Sequence, residues 1–212
     1  MFETNGLLQQ MRSDIITRKL TPGKKVTEFE LADEYGVNRS RMRNLLIELE
    51  SEGLVKIHPN GTKEIVGFDR DDAYNLCELR EYIETTALKR IFGGRSLDYA
   101  PLTGILTQIE ACKSDGTGDL SLNDVMFHRA IIELAANRYI LGAYDTIMPT
   151  LYTLFTITTK DKSNVQTPEE FYSRHIDLLV SIINRKKEEC FALFRKHHEN
   201  ALAKALRALE LI

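Results

Sequence analysis

Asp124 and His128 stand four residues apart, a spacing that places both side chains on one face of a helix. His175 and His197 lie farther along, with Arg185 and Lys186 about midway between them. A helical hairpin turning there brings the two histidines to similar heights. Three helices then supply one carboxylate and three imidazoles. That donor set suits zinc or nickel first, with manganese, iron or cobalt also accommodated, and not calcium or magnesium. Phe127, Ile131, Ile176, Leu179 and Phe194 offer an apolar surround. A plainer reading stands beside this one. Asp-x-x-x-His is common by chance, any of these histidines can be a satisfied core residue, and Asp124 can be the third residue of a helix cap begun by Ser121. His198 turns about 100° away from His197 on a helix and is expected in solvent.

A second group of residues points to nucleic acid. Asn38-Arg39-Ser40-Arg41-Met42-Arg43-Asn44 places three arginines in seven residues, and no acid occurs from Tyr35 through Ile47. At the start of a helix in the major groove, Arg39 or Arg43 can donate two hydrogen bonds to a guanine edge. Arg41 adds charge, Asn44 is a further reading candidate, and Ser40 with the first-turn amides suits phosphate. Lys24 and Lys63 are additional phosphate candidates, with His58, Asn60 and Gly61 at the tip of a hairpin. The alternatives are a solvated basic helix end, or a protein-interaction module of the same shape.

The elements that must position these residues follow from the punctuation of the chain. Leu7, Leu8, Met11, Ile15 and Ile16 keep helical spacing up to Thr21-Pro22-Gly23. Thr27 with Glu30 fits a capping box, and that helix stops at Gly36. Asn38 caps the next helix, which runs through Met42, Leu45, Leu46 and Leu49 to Gly53. Leu54 to Ile57, a turn at Pro59-Asn60-Gly61, and Ile65-Val66 read as two strands of a hairpin. Six helices follow, over roughly 70–91, 97–113, 121–136, 138–158, 168–184 and 186–209. The threonine-rich run Thr150 to Thr159 is assigned to helix, because Leu151, Leu154, Phe155 and Thr158 keep that period. The fold is therefore expected to be mainly α: a winged helix-turn-helix over 1–67 with a small β-hairpin, then an all-α antiparallel bundle over 68–212.

Composition narrows the function. The 212 residues carry 43% hydrophobic and 28% charged side chains, which excludes wholesale disorder. Residues 1–67 hold ten basic and ten acidic side chains, so the formal charge of -3 resides in the rest. Cys77, Cys112 and Cys190 make neither a disulfide framework nor a zinc motif. The polar opening MFETNG, and the lack of a long apolar run, lead to the expectation of a cytoplasmic protein away from membranes.

The first segment resembles the winged helix of the GntR family of bacterial transcription regulators. The resemblance lies in Leu20-Thr21-Pro22-Gly23, Leu31 to Val37, Arg39-Ser40, Arg43, Leu45-Leu46 and Leu49 to Val55. Arg41, Met42, Asn44 and Leu45 depart from the usual family pattern and make the reading face more basic. The second segment is similar to the helical FCD domain of the FadR-like branch, through Glu78-Leu79-Arg80 with Ile83-Glu84, Asp124 with Phe127 to Ile131 and Asn137, His175 with Leu178-Leu179, and His197. The resemblance implies a divalent metal on Asp124, His128, His175 and His197, a small organic acid over it, and Arg80 and Asn137 as effector contacts. Arg80 can instead pair with Glu84 at the surface.

The expected protein is thus a homodimeric repressor on a palindromic double-stranded operator, controlled by a small carboxylate. An enzyme is disfavoured, since no general base, P-loop or nucleophile elbow accompanies the ligand set. The rival classes are a metal-dependent hydrolase or isomerase and a winged-helix adaptor.

Overall fold

The computed structural model describes residues 6–94, 98–115, 119–160 and 167–210. It contains α1 (Gly6–Ile16), β1 (Lys25–Val26), α2 (Glu28–Glu34), α3 (Arg39–Ser51), β2 (Val55–Ile57), β3 (Lys63–Ile65), α4 (Arg70–Phe92), α5 (Ala100–Asp115), α6 (Leu120–Leu134), α7 (Arg138–Lys160), α8 (Pro168–Ile183) and α9 (Lys187–Glu210). The chain forms two compact units. One runs to Ala73 and takes in the chain end from Leu209; the other is Tyr74–Ala208.

In the first unit, local chemistry starts and stops each helix. Thr27 Oγ1 accepts from the Glu30 amide at 3.1 Å, and Glu30 Oε2 accepts from the Thr27 amide at 2.9 Å, which completes the capping box of α2. Asn38 Oδ1 accepts from the Arg41 amide at 2.8 Å and starts α3. Gly36 and Gly53, at φ 66° and 77°, make the turns that follow α2 and α3. Met11, Ile15, Leu31, Met42, Leu46, Leu49 and Ile65 are all buried to 1% exposure or less and form the core. A bidentate pair, Arg12 Nε and Nη2 on Glu52 at 2.6 and 2.7 Å, ties α1 to the end of α3.

The wing has three strands rather than the expected two. The order is β1-β3-β2, antiparallel throughout, with Lys25 opposite Glu64 and Lys56 opposite Glu64 from the other side. β1 is two residues long, too short for alternation to betray it, and it exists through its pairing with β3. The chain then passes Gly67, at φ 94°, where an added Cβ would stand 2.6 Å from Pro22 Cγ.

The second unit holds all six expected helices, in which α5 packs on α6 and α8, and α6 on α7. The threonine-rich run is helix. Its hydroxyls donate back along α7, Thr153 to the Pro149 carbonyl at 2.9 Å and Thr156 to that of Tyr152 at 2.8 Å, so they do not compete for a strand. Thr167 and Glu170 cap α8 reciprocally, with Pro168 at its first position. α6 is capped by Asp119, whose Oδ1 accepts from the Leu122 amide at 3.0 Å. Ser121 therefore lies inside the helix, and Asp124 is released from a capping role. Among the described residues no helix is long and apolar enough to cross a membrane.

Candidate metal centre and nucleic-acid interface

α6 presents Asp124 and His128, α8 presents His175 and α9 presents His197. One ligand atom from each of the four lies within 4.8 Å of all the others. His175 Nε2 is 3.2 Å and His197 Nε2 3.6 Å from Asp124 Oδ1, and the Nε2 atoms of His128 and His197 are 3.0 Å apart. Four ligands at the usual zinc–nitrogen distance around one ion are separated by about 3.3 Å in a tetrahedron. Phe171 stacks on His175 at 4.2 Å, and Phe127 meets it edge-on at 4.9 Å.

The outer atoms of the ligands decide what the inner atoms can do. His175 Nδ1 lies 2.7 Å from the Phe171 carbonyl, which only accepts, so Nδ1 carries the proton. His128 Nδ1 lies 2.6 Å from Glu84 Oε2 and is a donor for the same reason. In their neutral forms both rings then aim an Nε2 lone pair inward, that of His175 toward Asp124 Oδ1 and that of His128 toward His197 Nε2. Acceptors facing acceptors at this range are held together by a proton or a cation between them, and a divalent transition metal fits that donor set.

Protonation agrees. Burial pushes His128 down to about 4, with Arg80 adding to it. Burial likewise holds His197 well below the usual imidazole range. Burial works against the Asp124 carboxylate, but Arg80 and the His175 and His197 hydrogen bonds overcome it and keep the group well below its ordinary value. Burial also opposes Glu84, where His128 and Arg80 prevail.

Behind the ligands sits a layer that sequence reasoning placed differently. Arg80 is not at the surface: it is 1% exposed, donates from Nε to Glu84 at 2.7 Å and from Nη2 to Asp124 Oδ2 at 3.0 Å, and leaves Nη1 without a hydrogen-bond partner among the described residues. His198, expected in solvent, is 6% exposed with Nε2 2.9 Å from Glu84 Oε2. α9 turns two adjacent histidines to two different carboxylates, His197 to Asp124 and His198 to Glu84. Glu84, His128 and His198 form a second close triad. It would need the His128 Nδ1 that Glu84 already holds, so it supports the first set rather than competing with it.

A cavity of roughly 510 Å³ adjoins the ligands and is lined by Asp124, His175 and His197 together with Arg174, Lys204 and Thr158. Burial lowers Arg174 and Lys204 from their ordinary values, as for cations held partly out of water. Sequence reading missed both. Lys204 stands seven residues beyond His197, on the same helix face, which was a usable signal; Arg174 carried none. Arg80 and Asn137 are not among the wall residues. Asn137 Oδ1 accepts from the Tyr139 and Ile140 amides at the start of α7.

On the first unit, Arg39, Ser40, Arg41, Arg43 and Asn44 are all exposed along the start of α3, while Met42, Leu45 and Leu46 are buried. Lys24, Asn60 and Gly61 are exposed as well, and Asn60 Oδ1 accepts from the Thr62 amide at 3.0 Å to shape the turn. His58 is half-buried, with Nε2 2.7 Å from Glu64 Oε2. One residue of this face was not foreseen. Glu28, at the first position of α2, accepts from Arg43 Nε at 2.9 Å and Nη2 at 3.1 Å, and from Lys63 Nζ at 3.0 Å; Arg39 Nη2 stands 3.8 Å away. Hydrogen bonds from Arg43 and Lys63 hold its carboxyl down at about 2. Its share of stability is therefore complete above the ordinary value of 4.5 and is lost as the pH falls toward about 2.

The chain thus combines a winged helix with a helical bundle that carries a His-rich centre, a two-domain plan. Comparison with known proteins agrees: the family described as "Bacterial regulatory proteins, gntR family" matches residues 4–63, and the FCD domain matches residues 75–200. The chain belongs to the GntR family, with an FCD domain, and it is a transcriptional regulator rather than an enzyme. It is 24% identical over 196 residues to the gluconate operon transcriptional repressor of Bacillus licheniformis, covering 90% of this chain and 79% of that one. It is 24% identical over 178 residues to the Nta operon transcriptional regulator of Aminobacter aminovorans, covering 83% and 81%. Lar, which controls the agr system of Listeria monocytogenes, shares the fold with a TM-score of 0.73 at 19% identity, over 98% of this chain and 99% of that one. A GntR regulator from Rhodococcus sp. RHA1 matches with a TM-score of 0.66 at 18% identity, over 98% and 99%.

Proposed function

We propose that the protein is a cytoplasmic, homodimeric repressor whose affinity for a palindromic operator is set by a small carboxylate bound beside a divalent metal, zinc or nickel in first place. The observation that carries this reading is the convergence of three Nε2 atoms and one carboxylate oxygen beside a cavity whose wall takes in Asp124, His175 and His197 together with two cations. Asp124, His128, His175 and His197 would hold the ion, which when bound supplies a Lewis acid for a carboxylate oxygen. Arg174 and Lys204 supply counter-charge in the same cavity. Arg80 acts from behind, by fixing Asp124, and Asn137 acts on the start of α7.

The coupling runs through α4. That helix carries Arg80 and Glu84, which grip the ligands Asp124 and His128, and its first residues belong to the DNA-binding unit. A change at the ligand set is thereby a force on α4, and a coupling of ~1–3 kcal/mol is enough to alter operator occupancy several-fold. Two copies of the winged helix, one per half-site, give the affinity that one small face lacks.

Two measurements test the reading. Metal analysis of purified Asp124→Ala and His175→Ala should show loss of the bound ion, and unchanged stoichiometry would sink the centre. A gel shift with DNA from around the protein's own gene should retard the wild type, and Arg43→Ala should weaken it by about ten-fold or more. A winged helix that shifts no duplex and instead retains a protein partner would establish an adaptor.

A further inference from the structure

Glu28 is an acid in the middle of a face that otherwise collects cations. The sequence places no carboxylate between Tyr35 and Ile47, yet the fold delivers one from α2 to the same spot. Its side chain is 7% exposed, whereas those of Arg43 and Arg39 are 62% and 66% exposed. The carboxylate therefore lies beneath the guanidiniums, on the protein side, and cannot be approached by a phosphate. Lys63, at 17% exposure, reaches the same carboxylate from the wing.

The hydrogen-bond inventory shows what this leaves available. A guanidinium has five N–H donors. Glu28 takes Nε–H and one Nη2–H of Arg43, so Nη1 and the remaining Nη2–H face outward. A buried two-point grip fixes the plane of the Arg43 fork, and a fork of fixed plane is what a bidentate contact to a base edge needs. The same carboxylate joins α3 to β3, so the reading helix and the wing share one anchor.

We infer that Glu28 is a positioning residue for sequence specificity: it orients Arg43 and ties Lys63 of the wing to the reading helix, at the cost of one positive charge's worth of general attraction for DNA. This rests on the winged helix being the DNA-binding face. It separates two quantities that a merely structural residue would move together. Loss of the carboxylate charge strengthens attraction to any duplex. Loss of the grip weakens only the sequence-dependent part.

The test uses the full-length protein, a duplex selected by the wild type from a random-sequence pool, and a scrambled duplex of equal length and composition. Affinities for both are measured by fluorescence anisotropy over a salt series, for wild type, Glu28→Gln, Arg43→Ala and the double variant. In Glu28→Gln, binding to the scrambled duplex should tighten and binding to the selected duplex should weaken, so that their ratio falls by about ten-fold. In the Arg43→Ala background, Glu28→Gln should lower the ratio much less. Equal shifts on both duplexes, or an unchanged ratio, overturn the inference. If Glu28→Gln fails to fold by circular dichroism, Glu28→Asp is measured in its place; its shorter side chain breaks the grip but keeps the charge, so the ratio should fall without tighter binding to the scrambled duplex, and an unchanged ratio again overturns the inference. A wild type that selects no sequence from the pool overturns the DNA-binding reading itself, and the inference with it.

Discussion

Two of the three imidazoles at the candidate centre, His128 and His175, are committed on their outer nitrogens, to Glu84 and to the Phe171 carbonyl. His128 shows the consequence best, because its outer partner is a wholly buried carboxylate. Glu84→Gln removes that charge from beside Arg80 and frees the His128 proton to sit on either nitrogen. Metal affinity should fall by about 10–100-fold in a chelator competition, while one ion per chain is still reached at saturation. The metal-free variant should also be less stable by about 3–5 kcal/mol, since Arg80 is left buried with one anionic partner fewer. The convergence of these four side chains was legible in the sequence because Asp124 and His128 share a helix face and His175 and His197 flank one turn. Glu84 was not, since it meets His128 from 44 residues away with no periodic relation to it. His198 misled for the opposite reason. Helical phase correctly separated it from His197, but phase cannot reveal that a second buried acid waits on the other side. Glu28 and Arg174 belong with Glu84: their roles arise from tertiary neighbours alone.

Three helix starts were legible from the side chain that caps them, whereas the cap of α6 falls on Asp119 and not on Ser121. Thr27, Asn38 and Thr167 each mark a start in sequence and accept the expected amide in the fold. β1 has no such mark, and pairing with β3 is its whole basis. Gly67 is a different kind of element signal, a close approach visible only after folding. Gly67→Ala forces a side chain into a left-handed conformation and against Pro22 Cγ, whereas Gly23, at φ 77°, has open space around it. Gly67→Ala should therefore shift the urea midpoint of the winged unit further than Gly23→Ala, whose strain alone amounts to about 1 kcal/mol.

At the scale of the whole chain, the division into a neutral first part and an acidic remainder was already visible in the placement of charge. The two units give a ligand two distinct addresses. An ion that binds the folded helical unit and not the unfolded chain stabilises that unit by mass action. Chelation should then lower the melting of the helical unit by several degrees in calorimetry, followed by the near-ultraviolet signal of its aromatic residues. The winged unit's own transition, followed by amide exchange of α2 and α3, should stay where it was. Equal shifts in both would show that the units unfold as one.

The border between the units, at Ala73 and Tyr74, falls inside α4 rather than in a loop. Proteases take hold of irregular, pliant backbone, and a helix must be melted before its peptide bonds become accessible. The two units of this regulator are thus joined by a segment that resists digestion, and a cut that parts the helical unit from the winged unit at that border should be among the last to occur.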